Sequence, residues 1–224
     1  MGLHHSPRIV TSGLDLFVDA KDPNSYPGTG TTVYDLSVNR YTLGAGGMDQ
    51  TALQGGAFTF SSDYDAFINL DAQNFTYLYD FTMESLCKPT GNHSHYDGAL
   101  ISSGDWNVNH WALSLNQNNT AISIRRPYWT INYTFTVNNW YHIVYRRAGT
   151  KLSVFVNGGL IANTTSTDAR PLVSNASNTM IGRETYAGGY FNFEGEIAQT
   201  KIYSVALNDE EVLQNYKALA KRVS

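Results

Sequence analysis

From Ala57 onward the sequence repeats one kind of segment, a short run of alternating apolar and polar side chains closed by a cluster of Gly, Asn, Asp or Ser. A period of two sends every second side chain to the same face of a strand, so recurrence between turn clusters points to an all-β sandwich or barrel. The runs are Ala57 to Phe60, Ala66 to Leu70, Phe81 to Cys87, Ala99 to Ser102, Trp111 to Leu115, Ala121 to Ile124 and Tyr133 to Val137. In Tyr141 to Arg146 the period groups Tyr141, Ile143 and Tyr145 against His142, Val144 and Arg146, and leaves open which set faces inward. Between Leu152 and Ile161 the pair Asn157-Gly158 separates two apolar stretches. A type I′ turn needs positive φ at both central residues, which Asn-Gly supplies, so a hairpin is expected here.

Composition supports strands over helices. Only 15% of residues are charged, against roughly a quarter in an ordinary globular chain. With 42% hydrophobic residues, the 224-residue chain can bury a sizeable core. Fifteen basic and 19 acidic residues give a net charge of -4, which lacks the positive field of a nucleic-acid binder. The single cysteine, Cys87, permits no internal disulfide and reads as a small buried hydrophobe. No stretch approaches the ~20 apolar residues of a membrane-spanning helix, and Met1 to Val10 lacks the apolar region of an export signal. Asn-x-Ser/Thr triplets begin at Asn74, Asn92, Asn118, Asn132, Asn163 and Asn175, and are expected as chance products of an Asn- and Thr-rich chain.

The expected organisation is an N-terminal arm over 1–13 and one domain over 14–224. Leu14 to Ala20 reads as its first strand, Asp22-Pro23-Asn24 and Tyr26 to Gly30 as turns, and Tyr41 to Gly56 as loop. One helix is expected, over about 209–221. Asn208 is an N-cap, Glu211 completes a capping box, and Leu207 with Val212 forms a hydrophobic staple. Val212, Leu213, Tyr216 and Leu219 recur at helical spacing, so the helix should dock on the sandwich.

Several of these segments resemble the laminin-G-like branch of the concanavalin A-like lectin and glucanase superfamily. Ala57 to Ile68 resembles its F-x-G-x-x-D-Y-V strand pair, and Phe81 to Pro89 its F-T-x-E-x-W-x-K-P strand. Asn138 to Val144 is similar to x-x-W-H-H-V-A, Leu152 to Gly158 to L-x-L-Y-V-D-G, and Phe193 to Leu207 to F-x-G-x-I-D-E-V-R-I-Y-N-R-A-L. The resemblance implies a jelly-roll of two facing antiparallel sheets with a short C-terminal helix. Ser6 to Ala20 and Asn24 to Ser37 resemble the opening of laminin-G-like proteins of tailed bacteriophages. That implies a virion component on head or tail fibre, assembled in the host cytoplasm.

The superfamily includes glucanases whose catalytic strand carries E-x-D-x-x-E. Here Glu194 and Glu196 have no third carboxylate, so no enzyme is expected. His93 and His95 with Asp97 could place three ligands in one loop, though a solvated loop is the expectation. No cofactor is expected, with calcium the one candidate metal. Its ligands would be Asp19, Asp22 and Asn24 in one cluster and Asp63 with Asp65 in another, all of them also ordinary turn residues. Trp106, Tyr128, Trp129, Tyr186 and Tyr190 lie in or beside loop-like segments, with Arg125, Arg126, Asn107 and Asn109 near in sequence. They suit sugar platforms or contacts to a neighbouring subunit. Trp111 and Trp140 are expected in the core. The sequence therefore leads to a non-enzymatic capsid-decorating or tail-fibre module at the virion surface, partnered by other virion proteins and forming a homo-oligomer. Host surface glycan is the further partner, and a carbohydrate-binding adhesin or, behind it, a glycoside hydrolase the alternative.

Overall fold

In the computed structural model, residues 8–46, 56–61, 66–70, 78–93, 97–105, 108–168, 170–172, 179–186 and 189–220 are described. The strands are Leu14–Asp19 (β1), Thr32–Tyr34 (β2), Thr42–Gly46 (β3), Phe58–Phe60 (β4), Phe67–Asn69 (β5), Phe81–Pro89 (β6), Asp97–Asp105 (β7), Val108–Asn116 (β8) and Ala121–Arg125 (β9). They continue with Trp129–Asn132 (β10), Tyr141–Ala148 (β11), Lys151–Val156 (β12), Gly159–Thr165 (β13), Met180–Ile181 (β14), Arg183–Tyr186 (β15), Gly189–Asn192 (β16) and Gly195–Tyr203 (β17), and helix Asp209–Ala220 (α1) follows.

Among these residues the strands form two main antiparallel sheets. The first has the order β1-β17-β6-β11-β12-β13, with β4 also paired to β17, and the second runs β10-β9-β8-β7-β14-β5-β3-β2. A separate β15-β16 hairpin packs against β7. Alternation decides what lies between the sheets. Met83, Ile143, Tyr145, Val154 and Ile202 of the first meet Leu43, Ile68, Trp111, Leu113, Ile122 and Ile124 of the second in one buried cluster. Burial of this apolar area is the main stabilising term of such a sandwich. Cys87 lies in the same cluster, where burial pushes its thiol well above the ordinary range.

Two expectations about strands need correction. The span Tyr41 to Gly56 contains β3, whose Leu43 is buried and whose backbone pairs with both β2 and β5 despite Gly44 and Gly46. Tyr133 to Val137 alternates but is not a strand; β10 precedes it. The Tyr133 and Phe135 N–H groups bond Thr120 O and Asn119 O, and their rings pack on Tyr141. The Asn157-Gly158 hairpin forms as expected, with φ of 52° and 78° at the two residues and Val156 paired to Gly159.

The outer face of the first sheet is covered by the chain's own ends. The capping box is complete: Glu211 N–H donates to Asn208 Oδ1 at 2.9 Å and Asn208 N–H to Glu211 Oε2 at 2.8 Å. Leu207 and Val212 then bury with Val10, Leu14, Val144, Phe155 and Tyr203. Of the helix residues expected to face inward, Leu213 is exposed, and Asn215 takes a fully buried place instead. Trp140 is half-buried and packs outside the main core, beside Leu86, Ala198 and Leu219. Residues 8–13, the second half of the expected arm, lie against this body: Arg8 O accepts from Gln214, Val10 N–H donates to Asn215 Oδ1, and Gly13 O accepts from Ser204 N–H.

His142 faces outward, toward the helix, and stacks at 6.1 Å on Tyr216. Beside it Glu84 is 1% exposed, 3.3 Å from both His142 Nε2 and Lys201 Nζ, and accepts a 2.8 Å bond from Asn215. Burial alone would raise the Glu84 carboxyl, but Lys201, then His142 and the hydrogen bonds from His142 and Asn215, bring it down to about 2.

Candidate functional site

The corresponding face of the second sheet is built differently. On β9, Ile122 and Ile124 enter the core, so Ser123 and Arg125 project from the other side; on β8, Leu113 and Leu115 enter the core and Ser114 projects. At the start of β7, Asp97 joins them: Ser123 Oγ donates to Asp97 Oδ1 at 3.2 Å, and the Arg125 guanidinium pairs with Asp97 Oδ2. The Arg125 guanidinium also lies 5.8 Å from the ring centre of Tyr128, a residue 63% exposed. The β15 hairpin brings Glu184, 2.7 Å from His110 Nε2, and Arg183, whose guanidinium lies 4.9 Å over Phe67. Ser114 Oγ, Arg125 Nε and Glu184 Oε2 are buried here without a hydrogen-bond partner in the chain. Such groups are costly unless another molecule satisfies them.

The electrostatics of Asp97 follow from that arrangement. Burial raises its carboxyl, Arg125 and the Ser123 hydrogen bond pull it back, and Glu184 raises it again, leaving it pushed up to about 6. A carboxylate, a guanidinium, hydroxyls and an exposed aromatic ring are the groups that bind polyols: acceptors and donors for the hydroxyls, a flat face for C–H groups.

The sequence-predicted residues divide as follows. Tyr128 stands exposed beside Arg125, while Trp129, the first residue of β10, is half-buried against the core. Tyr186 and Tyr190 belong to the β15-β16 hairpin, and their side chains, like all of Trp106, Asp63, Asp65 and His95, lie outside the described residues. Of the expected calcium clusters, Asp19 Oδ1 accepts the N–H groups of Lys21 and Asp22, Asp19 Oδ2 accepts from Gln199, and Asp22 Oδ1 accepts from Asn24. These oxygens accept from N–H donors, the arrangement of turn capping. Among the described residues, no three His, Cys, Asp or Glu side chains converge to hold a metal. His93 is buried, accepts the Glu194 N–H at Nδ1, and is held down to about 4 by burial, which an Asn119 hydrogen bond only partly offsets. Glu196 pairs with Lys88 at 2.6 Å. Ser123 and Glu184 were not singled out by the sequence, and Asp97 only as a candidate metal ligand with His93 and His95; a cue was present in the serines at alternate strand positions, but not their partners.

Residues 62–213 match the profile of the concanavalin A-like lectin/glucanases superfamily. The chain belongs to this superfamily. Two facing antiparallel sheets are the architecture that the resemblance implied. Among solved structures, Trypanosoma rangeli sialidase in complex with 2,3-difluoro-KDN superposes with a TM-score of 0.67 at 17% identity, over 96% of this chain and 34% of that one. The binding domain of botulinum neurotoxin DC in complex with SialylT gives 0.62 at 14%, over 94% of this chain and 52% of that one. This superfamily member thus spans about a third of the sialidase and half of the toxin domain, and at such identity the likeness is one of fold. No curated protein matches the sequence.

Proposed function

We propose that this chain is a non-enzymatic surface module of a tailed-phage particle, carried on capsid or tail fibre as a homo-oligomer among other virion proteins. Its sugar-binding face is the outer side of the second sheet, directed at host surface glycan. One observation carries the binding reading: Tyr128 stands exposed beside the guanidinium of Arg125, which in turn pairs with Asp97. Among the described residues the first sheet offers no comparable exposed ring beside a charge pair, because α1 and residues 8–13 cover it. The phage reading rests on the resemblance of Ser6 to Ser37 to phage openings. The solved complexes with a sialic-acid analogue and with SialylT belong to other proteins, and support only that this fold occurs where such sugars are bound.

Glycan-array binding tests the site. Binding that disappears in Tyr128→Ala and Arg125→Ala supports it, and unchanged binding in both variants rejects it. Mass spectrometry of purified particles tests the assignment to the virion, which absence of the chain would end. One observation favours hydrolysis as a second reading: a carboxyl at about 6, as Asp97 has, is suited to general acid catalysis. Reducing-sugar release abolished by Asp97→Asn would establish it.

A further inference from the structure

The buried cluster beneath α1 contains three groups whose chemistry is complementary. Lys201 Nζ lies 3.3 Å from Glu84 Oε2, its side chain is 1% exposed, and the Phe17 ring centre lies 5.5 Å from it. An ammonium has three N–H donors to satisfy, and among the described residues this one makes a single long bond. Asn215, fully buried, donates through Nδ2 to the other oxygen of the same carboxylate at 2.8 Å and to Tyr203 OH at 3.0 Å. Its Oδ1 accepts the Val10 N–H at 2.8 Å, which fixes the orientation of the amide. One carboxylate therefore bridges an amine and a carboxamide through its two oxygens, and a backbone N–H points at the oxygen on which charge would develop.

We propose that Lys201 and Asn215 become joined after folding by an amide bond between Lys201 Nζ and Asn215 Cγ. Lys201 passes a proton to Glu84 Oε2, and the freed Nζ lone pair attacks Cγ while the carbonyl pair moves onto Oδ1. The Val10 N–H stabilises that oxyanion, as a positioned donor does in acyl transfer. Glu84 gives the proton it holds to Nδ2 and takes the second proton from Nζ; the carbonyl re-forms, the C–N bond to Nδ2 breaks, and the departing ammonia takes that second proton from Glu84 as ammonium. In sum, an ammonium and a carboxamide become a secondary amide and an ammonium ion, and Glu84 ends as it began. No oxidant or cofactor is needed. The initial proton transfer gives up the Glu84–Lys201 attraction but removes two buried charges, and the bond need form only once per chain. Held neighbours gain the large effective concentration of an intramolecular reaction. The product ties β17 covalently to α1.

Intact-mass spectrometry of the purified full chain, followed by proteolysis and fragmentation, decides the matter. The expected mass is lighter than the sequence by one ammonia, with a branched peptide joining the Lys201 and Asn215 segments. Lys201→Met and Glu84→Gln should restore the full mass. Asn215→Asp should still yield the branch, with loss of water in place of ammonia. A wild-type mass equal to the sequence, with separate linear peptides, overturns the proposal whether or not the variants fold. So does a deficit that persists in Lys201→Met, since cyclisation of an asparagine on its own backbone also loses ammonia.

Discussion

Glu84 and Asp97 are both buried carboxylates on the outer faces of sheets, and their surroundings drive them in opposite directions. Both lose solvation. At Glu84, Lys201, His142 and the hydrogen bonds from His142 and Asn215 more than offset the loss, and the carboxyl sits at about 2. At Asp97, Arg125 and Ser123 oppose it incompletely, Glu184 adds repulsion, and the carboxyl rests at about 6. The first face is closed by α1 and residues 8–13, and Glu84 and Asn215 are bonded within the chain, while among the described residues His142 Nδ1 lies buried there without a hydrogen-bond partner. The second retains Ser114, Arg125 and Glu184 atoms without a partner and an exposed Tyr128. The contrast separates a face closed by the chain's own ends from one partly covered by the β15-β16 hairpin, which on the proposed reading meets another molecule.

The most severe way to break this contrast is Glu84→Ala. Removing one partner of a buried charged network typically costs 3–5 kcal/mol, because the remaining charge stays buried and unmatched. Lys201, His142 and Asn215 would all lose their common acceptor, so urea unfolding should show a loss of about 3–5 kcal/mol. A loss no greater than that of Asp97→Ala would mean that the two faces do not differ as described. Next in size, Asn208→Ala removes the side-chain acceptor of the Glu211 N–H, and should cost about 1 kcal/mol in the same measurement.

These two residues also mark what the sequence reveals and what it does not. Asn208 and Glu211 are three apart and act through local geometry, so the capping box was legible, as was the Asn157-Gly158 turn. The same holds for the core faces of the strands, where alternation is sufficient. Glu84, Lys201 and Asn215 occupy ordinary polar positions, 117 residues separating the first two. In an alternating strand such positions read as solvent-facing, and only docking of the helix buries them. The candidate site was half legible: Tyr128 and Arg125 could be found by residue type, whereas Asp97 pairs with Arg125 across two intervening strand connections. Tyr133 to Val137 misled because alternation there serves ring packing on Tyr141 rather than a ladder.

The opposite shifts give opposite pH dependences, which sharpen the comparison at a smaller scale. While Lys201 remains a free ammonium, Glu84 is lowered in the folded chain, so its contribution is complete above the unfolded value of ~4.3 and is lost as pH falls toward about 2. Asp97 is raised, so its contribution is complete below the unfolded value of ~3.9 and is lost as pH rises toward about 6. Urea midpoints between those limits should therefore include a component that declines with rising pH and vanishes in Asp97→Asn. If the variant keeps the wild-type profile, Asp97 is not the group responsible.

The smallest effect on stability should come from Tyr128→Ala, and that is its value. The ring is exposed, with the Arg125 guanidinium 5.8 Å from its centre, so the unfolding free energy should move by no more than about 0.5 kcal/mol. A residue placed to bind rather than to support must then reveal itself in binding alone. Loss of glycan binding at unchanged stability would assign Tyr128 to recognition. A large loss of stability would return this face to the same structural role as the first, and the distinction between the two sheets would reduce to which parts of the chain cover them.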